Sequence, residues 1–300
     1  MYMKRDENDV DVEESGVAFV ESRSGSPLVN GLKGLFIGMA NVIPGVSGGT
    51  IAAITGLYDD LVSAFGEFFR TGWKRNARYL APVVLGVMAG FLFLARFIDI
   101  ALSEYPEMTL LFFTGLIGGS VPYLIKRAGA STFRVRYLIP LVIAFLLLAW
   151  MGLAERPAAT PPMTDVSVAT GLIVFGSAVV GSIAMVVPGL SGSFLFLLIG
   201  VYSTITRIAA EFNIPLLLVF VAGTAIGIVI ASKIISWLLR NFHATSYYAI
   251  VGLVLGSLFG VWPGLPGGTG TVMGIVSLLV GLVISLTLGT DMKERLVKRK

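Results

Sequence analysis

A short polar motif occurs twice in an otherwise apolar chain, as Pro-Gly-Val-Ser-Gly over residues 44–48 and as Pro-Gly-Leu-Ser-Gly over residues 188–192. Pro44 and Pro188 fix the angle at which the backbone turns. Gly45, Gly48, Gly189 and Gly192 let it bend and come close to a ligand, and Ser47 or Ser191 sets a hydroxyl beside the amides that open the following helix. Such a helix start attracts anions, because its unpaired N–H groups and the positive end of the helix dipole point the same way. Thr50 offers a further donor in the first copy, beside Gly49, whereas Ser193 and Phe194 occupy those two places in the second. The plain alternative is that Ser47 and Ser191 only cap their helices. Capping and anion binding use the same amides, so the motif leaves both readings open.

Two cations lie in apolar surroundings downstream of the motifs, Arg96 after the first and Lys233 after the second. A charge at membrane depth costs several kcal/mol unless it is paired or hydrated. Arg96 has Asp99 three residues on, so a local ion pair accounts for it without a ligand. Lys233 has Ser236 in the matching place and no nearby acid in its segment, which favours an anion-binding role. Asp59 and Asp60, just past the first motif, are candidates for a coupling proton or cation; the ordinary reading is that they mark the aqueous end of a helix. Tyr58, Tyr202, Trp73 and Trp262 read as interfacial aromatics.

The elements that must hold these groups are membrane helices. Apolar side chains make up 55% of the 300 residues and charged ones 13%, against roughly 25% charged in a soluble domain. Cysteine is absent and His243 is the single histidine, which excludes disulfides, thiol catalysis and a thiolate or histidine metal centre. No cofactor is expected. The formal charge of +4 sits beside apolar segments, where membrane topology places it, so nucleic acid is not an expected partner.

Residues 1–27 read as a flexible polar tail rich in Asp and Glu, residues 28–290 as one transmembrane domain, and residues 291–300 as a basic cytoplasmic tail. Apolar stretches occur at about 31–65, 80–102, 108–125, 137–153, 170–210, 214–239, 247–262 and 271–290. The first and fifth are too long for a single span and are the two that contain the motifs.

An ordered set of matches relates the two halves, about 31–125 and about 175–262. The motif pair, with Gly56-Leu-Tyr58 and Gly200-Val-Tyr202, recurs at one constant offset. Gly86 with Gly223, Gly90 with Gly227, Arg96 with Lys233, Gly115 with Gly252 and Gly119 with Gly256 recur at a slightly shorter one. Paired interrupted helices mark binding sites in repeat-built transporters. If each broken segment dips in and leaves on the side it entered, three crossings separate the motifs and the second half is inverted; two short full spans per broken segment would give the same parity. Arg70 to Arg78, Lys126 to Arg136, Arg240 and Lys293 to Lys300 then face the cytoplasm, as do both termini, in agreement with the positive-inside rule. The arm from Gly31 to Ile43 also favours re-entry, since at ~1.5 Å per residue it covers only about two thirds of a ~30 Å core. The expected fold is therefore all-α and integral to the membrane: two inverted-topology repeats, each with a re-entrant helical hairpin, and about six full transmembrane helices.

The stretch from Met39 to Thr50 (Met-Ala-Asn-Val-Ile-Pro-Gly-Val-Ser-Gly-Gly-Thr), Gly56 to Tyr58, the second motif, and the region from Leu253 to Pro263 together resemble the DUF368 family of polytopic membrane proteins. The likeness runs from about residue 30 to 288. It implies a flippase that returns polyprenyl phosphate, with undecaprenyl phosphate as the expected carrier lipid, to the cytoplasmic leaflet of the cell membrane. Carried over, it puts the head-group site at Pro44, Gly45, Ser47, Gly48, Gly49 and Thr50 and at Pro188, Gly189, Ser191, Gly192 and Ser193, with Arg96 and Lys233 as charge partners. Two other classes compete. A bacterial undecaprenyl-pyrophosphate phosphatase family has similar duplicated hairpins, but there arginine follows the serine and membrane glutamates assist; here glycine follows, and the apolar segments hold almost no glutamate. An ion-coupled carrier or channel for a small soluble anion would also use glycine-rich helix ends. The chain has no Walker-type phosphate loop, which argues against ATP hydrolysis.

Overall fold

The computed structural model describes residues 26–41, 47–68, 73–90, 95–129, 134–153 and 160–297. Among them the regular structure is helical. The helices are α1 (Pro27–Ala40), α2 (Gly48–Ile54), α3 (Tyr58–Gly66), α4 (Trp73–Ala89), α5 (Ala95–Glu104), α6 (Pro106–Arg127), α7 (Leu138–Leu153), α8 (Val168–Val186), α9 (Gly192–Ile199), α10 (Tyr202–Ala210), α11 (Ile214–Asn241), α12 (His243–Val261) and α13 (Thr269–Val297). Local chemistry starts several of them. Ser26 caps α1 ahead of Pro27, and Ser167 caps α8 by accepting from Thr170 N. Asp165 accepts from the Ser167 and Thr170 hydroxyls beside that cap, which holds its carboxyl below the usual range.

Among the described residues, six helices are long and apolar enough to cross a membrane: 106–127, 135–153, 168–186, 214–241, 243–261 and 270–287. The number agrees with expectation, but the set differs in two members. The first arm of the second broken segment, α8, is itself of spanning length. Of the expected span at 80–102 the described parts belong to α4, which begins in the polar Trp73–Arg78 stretch, and to α5; residues 91–94 lie outside the described residues. α13 continues to Val297, into the segment expected to be a tail.

Four helix pairs form the body: α1 with α4, α8 with α11, α6 with α13, and α7 with α12. Glycines make each pair close. A methyl group added at Gly86 or Gly90 would overlap the carbonyls of Gly31 or Leu35; at Gly223 it would stand 2.6 Å from the Phe175 oxygen, and at Gly227 it would overlap the Val179 oxygen. Gly115 with Gly119 meets α13, and Gly252 with Gly256 meets α7, in the same way. Inside lipid there is no hydrophobic drive between helices, so backbones must approach closely for dispersion to hold them. The glycines that matched between the halves are thus the crossing points.

In each glycine pairing the contacts advance in the same direction along both helices, so α8 runs parallel to α11 and α1 parallel to α4. At the centre lies α2, buried at all seven positions. Tyr58, expected at an interface, is 5% exposed and belongs to the main apolar core, because the turn after α2 points α3 inward; Trp73, Tyr202 and Trp262 are exposed as expected. Outward-facing Leu85, Leu146, Leu172, Leu218, Trp237 and Val276 give the body an apolar exterior.

Candidate functional site

The helices that open at Ser47 and Ser191 meet. Ser47 Oγ donates to the Val187 carbonyl at 3.4 Å, and Gly189 N donates to Thr50 Oγ1 at 2.8 Å. A Cβ at Gly49 would stand 3.0 Å from the Val186 oxygen, and one at Gly189 2.7 Å from the Leu253 oxygen. Gly189 also has φ +84°, a left-handed conformation that only glycine adopts without strain. Residues separated by well over a hundred positions are therefore knitted together through small side chains and backbone.

The two helix starts are finished differently. In the first, Gly48 N donates to Asn41 Oδ1 at 3.2 Å, Gly49 N to Ser47 Oγ at 3.2 Å and Thr50 N to the Ser47 carbonyl at 2.9 Å. Ser47 and Thr50 are buried. In the second, Ser191 makes no capping bond; its hydroxyl pairs with that of the exposed Ser193 at 2.8 Å. The position matching Asn41 is Met185, and a Cβ at Gly192 would lie 2.5 Å from the Met185 Cγ. A thioether is at best a weak acceptor, so Met185 does not replace the Asn41 bond. Among the described residues, no side chain caps the α9 start and its two serine hydroxyls bond each other, in contrast to the ties that use up the α2 start.

Lys233 lies on α11. The parallel register that sets Phe175 against Gly223 and Val179 against Gly227, continued along both helices, brings Lys233 level with Met185 and so with the opening of α9. Its side chain is exposed and forms no hydrogen bond or ion pair with a described residue. Arg96 falls in the first turn of α5; its side chain, like that of Asp99, lies outside the described residues, as do Pro44 and Gly45 entirely. Pro188 occupies the turn between α8 and α9.

Asp59 and Asp60 stand in the first turn of α3. Asp59 is held by two groups that sequence reasoning did not single out: Arg127, with Nη2 at 2.6 Å, and Tyr247, with its hydroxyl at 2.7 Å. His243 adds a ring-nitrogen contact to the Arg127 carbonyl at 2.9 Å. A second tie, between Arg240 and Glu67, joins α11 to the end of α3, and Lys33 Nζ donates to the Thr55 carbonyl at 2.7 Å. Sequence reasoning met Asn41 only inside the Met39–Thr50 stretch and Arg127 only within the basic Lys126–Arg136 cluster, and gave neither of them, nor Tyr247, a place in the site.

The arrangement can present backbone amides, hydroxyls and a cation to an anion within an apolar body. Residues 37–271 match the family described as VCA0040-like, undecaprenyl phosphate translocase-like. The chain belongs to this family. Among curated relatives, it is 35% identical over 273 residues to the polyprenyl-phosphate transporter of Staphylococcus aureus (strain NCTC 8325 / PS 47), covering 87% of this chain and 95% of that one. It is 34% identical over 246 residues to the polyprenyl-phosphate transporter of Vibrio cholerae serotype O1, covering 77% and 76%. No solved structure matches it.

Proposed function

We propose that this chain is a lipid flippase that moves polyprenyl phosphate, undecaprenyl phosphate first among candidates, across the cytoplasmic membrane, without hydrolysing it. The observation that carries the reading is the uncapped opening of α9, with Ser191, Gly192 and Ser193, level with the exposed Lys233 inside an apolar helical body of this family. A phosphate head group needs donors and a cation within the membrane, while its isoprenoid tail stays in lipid. Pro188 and Gly189 shape that turn. In the matching segment, Ser47, Gly48, Gly49 and Thr50 are proposed to hold the α8–α9 turn, and Pro44, Gly45 and Arg96 are kept as head-group candidates.

The halves are proposed to be inverted, with both termini cytoplasmic and the segments α1–α2–α3 and α8–α9–α10 entering and leaving on one side. The parallel course of α8 and α11, and of α1 and α4, supports this, because the chain between two parallel neighbours has to return. Asp59 and Asp60 are the candidates for coupling to a proton or cation.

The test is reconstitution into liposomes with a fluorescent polyprenyl phosphate, reading leaflet exchange, release of inorganic phosphate and uptake of a soluble anion in the same vesicles. Exchange without release or uptake is expected, and Lys233→Gln should slow it while leaving thermal stability at the parent level. Phosphate release, or uptake of the soluble anion without lipid exchange, would overturn the reading.

A further inference from the structure

Arg127 ends α6 and turns two nitrogens onto a single carboxylate oxygen, with Nη2 at 2.6 Å and Nε at 3.1 Å from Asp59 Oδ2. Tyr247, on α12, bonds both Asp59 oxygens at 2.7 Å and accepts from Arg127 Nε at 3.2 Å. The third nitrogen, Nη1, donates to no described residue. The Arg127 side chain is 26% exposed and that of Asp59 11%, so the arginine is the more accessible member of the pair. Beside the pair is a small cavity bounded by Ala53 and Gly56, which follow directly from the first motif, and by Asp59, Tyr123 and Tyr247.

A purely structural ion pair accounts poorly for this group. Carboxylate and guanidinium held away from water return little net stability over an apolar pair of the same size. The glycine contacts that build the body recur in both halves, whereas this cluster does not: Ser203 and Gly264 occupy the places matching Asp59 and Arg127. It is present once, on the side that the proposed topology assigns to the cytoplasm. A phosphate monoester offers the same planar fork of guanidinium donors more acceptor oxygens and more charge than a carboxylate does.

We propose that Arg127 is a further phosphate-monoester-binding residue, and that Asp59, steadied by Tyr247, occupies its guanidinium until the lipid head group displaces it. This rests on the flippase reading. Apparent affinity then equals the intrinsic affinity scaled by the fraction of time that the guanidinium is free of Asp59.

The experiment uses the full chain in nanodiscs, with undecaprenyl phosphate, undecaprenol and inorganic phosphate as separate probes, and thermal unfolding measured alongside. Asp59→Asn should bind undecaprenyl phosphate about five-fold tighter than the parent, by removing the internal competitor, with undecaprenol binding unchanged. Asp59→Asn combined with Arg127→Gln removes both charges together and so leaves no unpaired ion. It should bind undecaprenyl phosphate about tenfold more weakly than Asp59→Asn alone, the scale of one hydrogen bond to a charged group, and more weakly than the parent. Asp59→Asn binding no tighter than a parent of equal thermal stability overturns the proposal. So does tightening confined to inorganic phosphate. If Asp59→Asn fails to fold, the double variant decides: binding equal to the parent overturns the proposal and weaker binding supports it. A parent that binds no undecaprenyl phosphate would overturn the flippase reading and this one with it, whereas normal parent binding with no response to Asp59 would sink this one alone.

Discussion

The α2 and α9 openings share Pro-Gly-Xaa-Ser-Gly, yet the first spends its donors on the protein and the second does not. Asn41, Ser47 and the Ser47 carbonyl take up the three leading amides of α2, and Thr50 reaches across to hold Gly189 in place. At α9, Met185 replaces Asn41, Ser193 replaces Gly49 and Phe194 replaces Thr50, and among the described residues the serine hydroxyls bond each other. Three side-chain changes thus separate a copy tied into the centre of the fold from one with no side-chain cap, which is the copy proposed to receive the head group. A motif duplicated in sequence need not be duplicated in role, because a helix start binds an anion only when its amides have no closer acceptor.

The hardest blow to this contrast should come at Gly189. Alanine there combines a left-handed backbone with a methyl group 2.7 Å from the Leu253 oxygen, and should cost at least about 3 kcal/mol of stability. Unfolding in detergent reads this directly, and an unchanged melting temperature would mean that the α8–α9 turn is not fixed as described. Thr50→Val removes the acceptor of the buried Gly189 amide and should cost about 1–3 kcal/mol, while transport per folded molecule stays near the parent level. A variant that folds normally and fails to transport would assign Thr50 to the ligand instead.

Met185→Asn sharpens the comparison from the other side, by giving the second copy the acceptor of the first. It should raise stability by up to about 1 kcal/mol and weaken polyprenyl-phosphate binding, since the Gly192 amide would then be occupied. Binding and melting measured together check it, and stronger binding would contradict an amide-based site. Ser191→Ala combined with Ser193→Ala should change folding least, by about 0.5 kcal/mol or less. Leaflet exchange in the double variant should nevertheless fall about tenfold, as expected for losing a hydrogen bond to a charged group. Full exchange activity would move the head group away from α9.

Much of this was legible in the chain. The two motifs, the number of spanning helices and the matching glycines follow from local composition and repetition. The span inventory differs at 168–186, where the expected re-entrant arm is a helix of spanning length, and the expected span at 80–102 runs partly outside the described residues. Length alone does not distinguish these cases when proline or a charged start interrupts an apolar run. Residue type alone makes Tyr58 an interfacial aromatic, whereas the turn after α2 carries it into the core.

Alone, the sequence determined an apolar helical membrane protein, its family, and the positions where backbones must come close, because solvent preference, motif spacing and the absence of a side chain are properties of the residues themselves. Only the tertiary structure decided which motif is sealed, which glycine meets which carbonyl, and that Arg127 and Tyr247 share Asp59. Those are choices among acceptors distant in the chain, and a donor's partner is set by which acceptor folding brings within about 3 Å, a distance that no local pattern encodes.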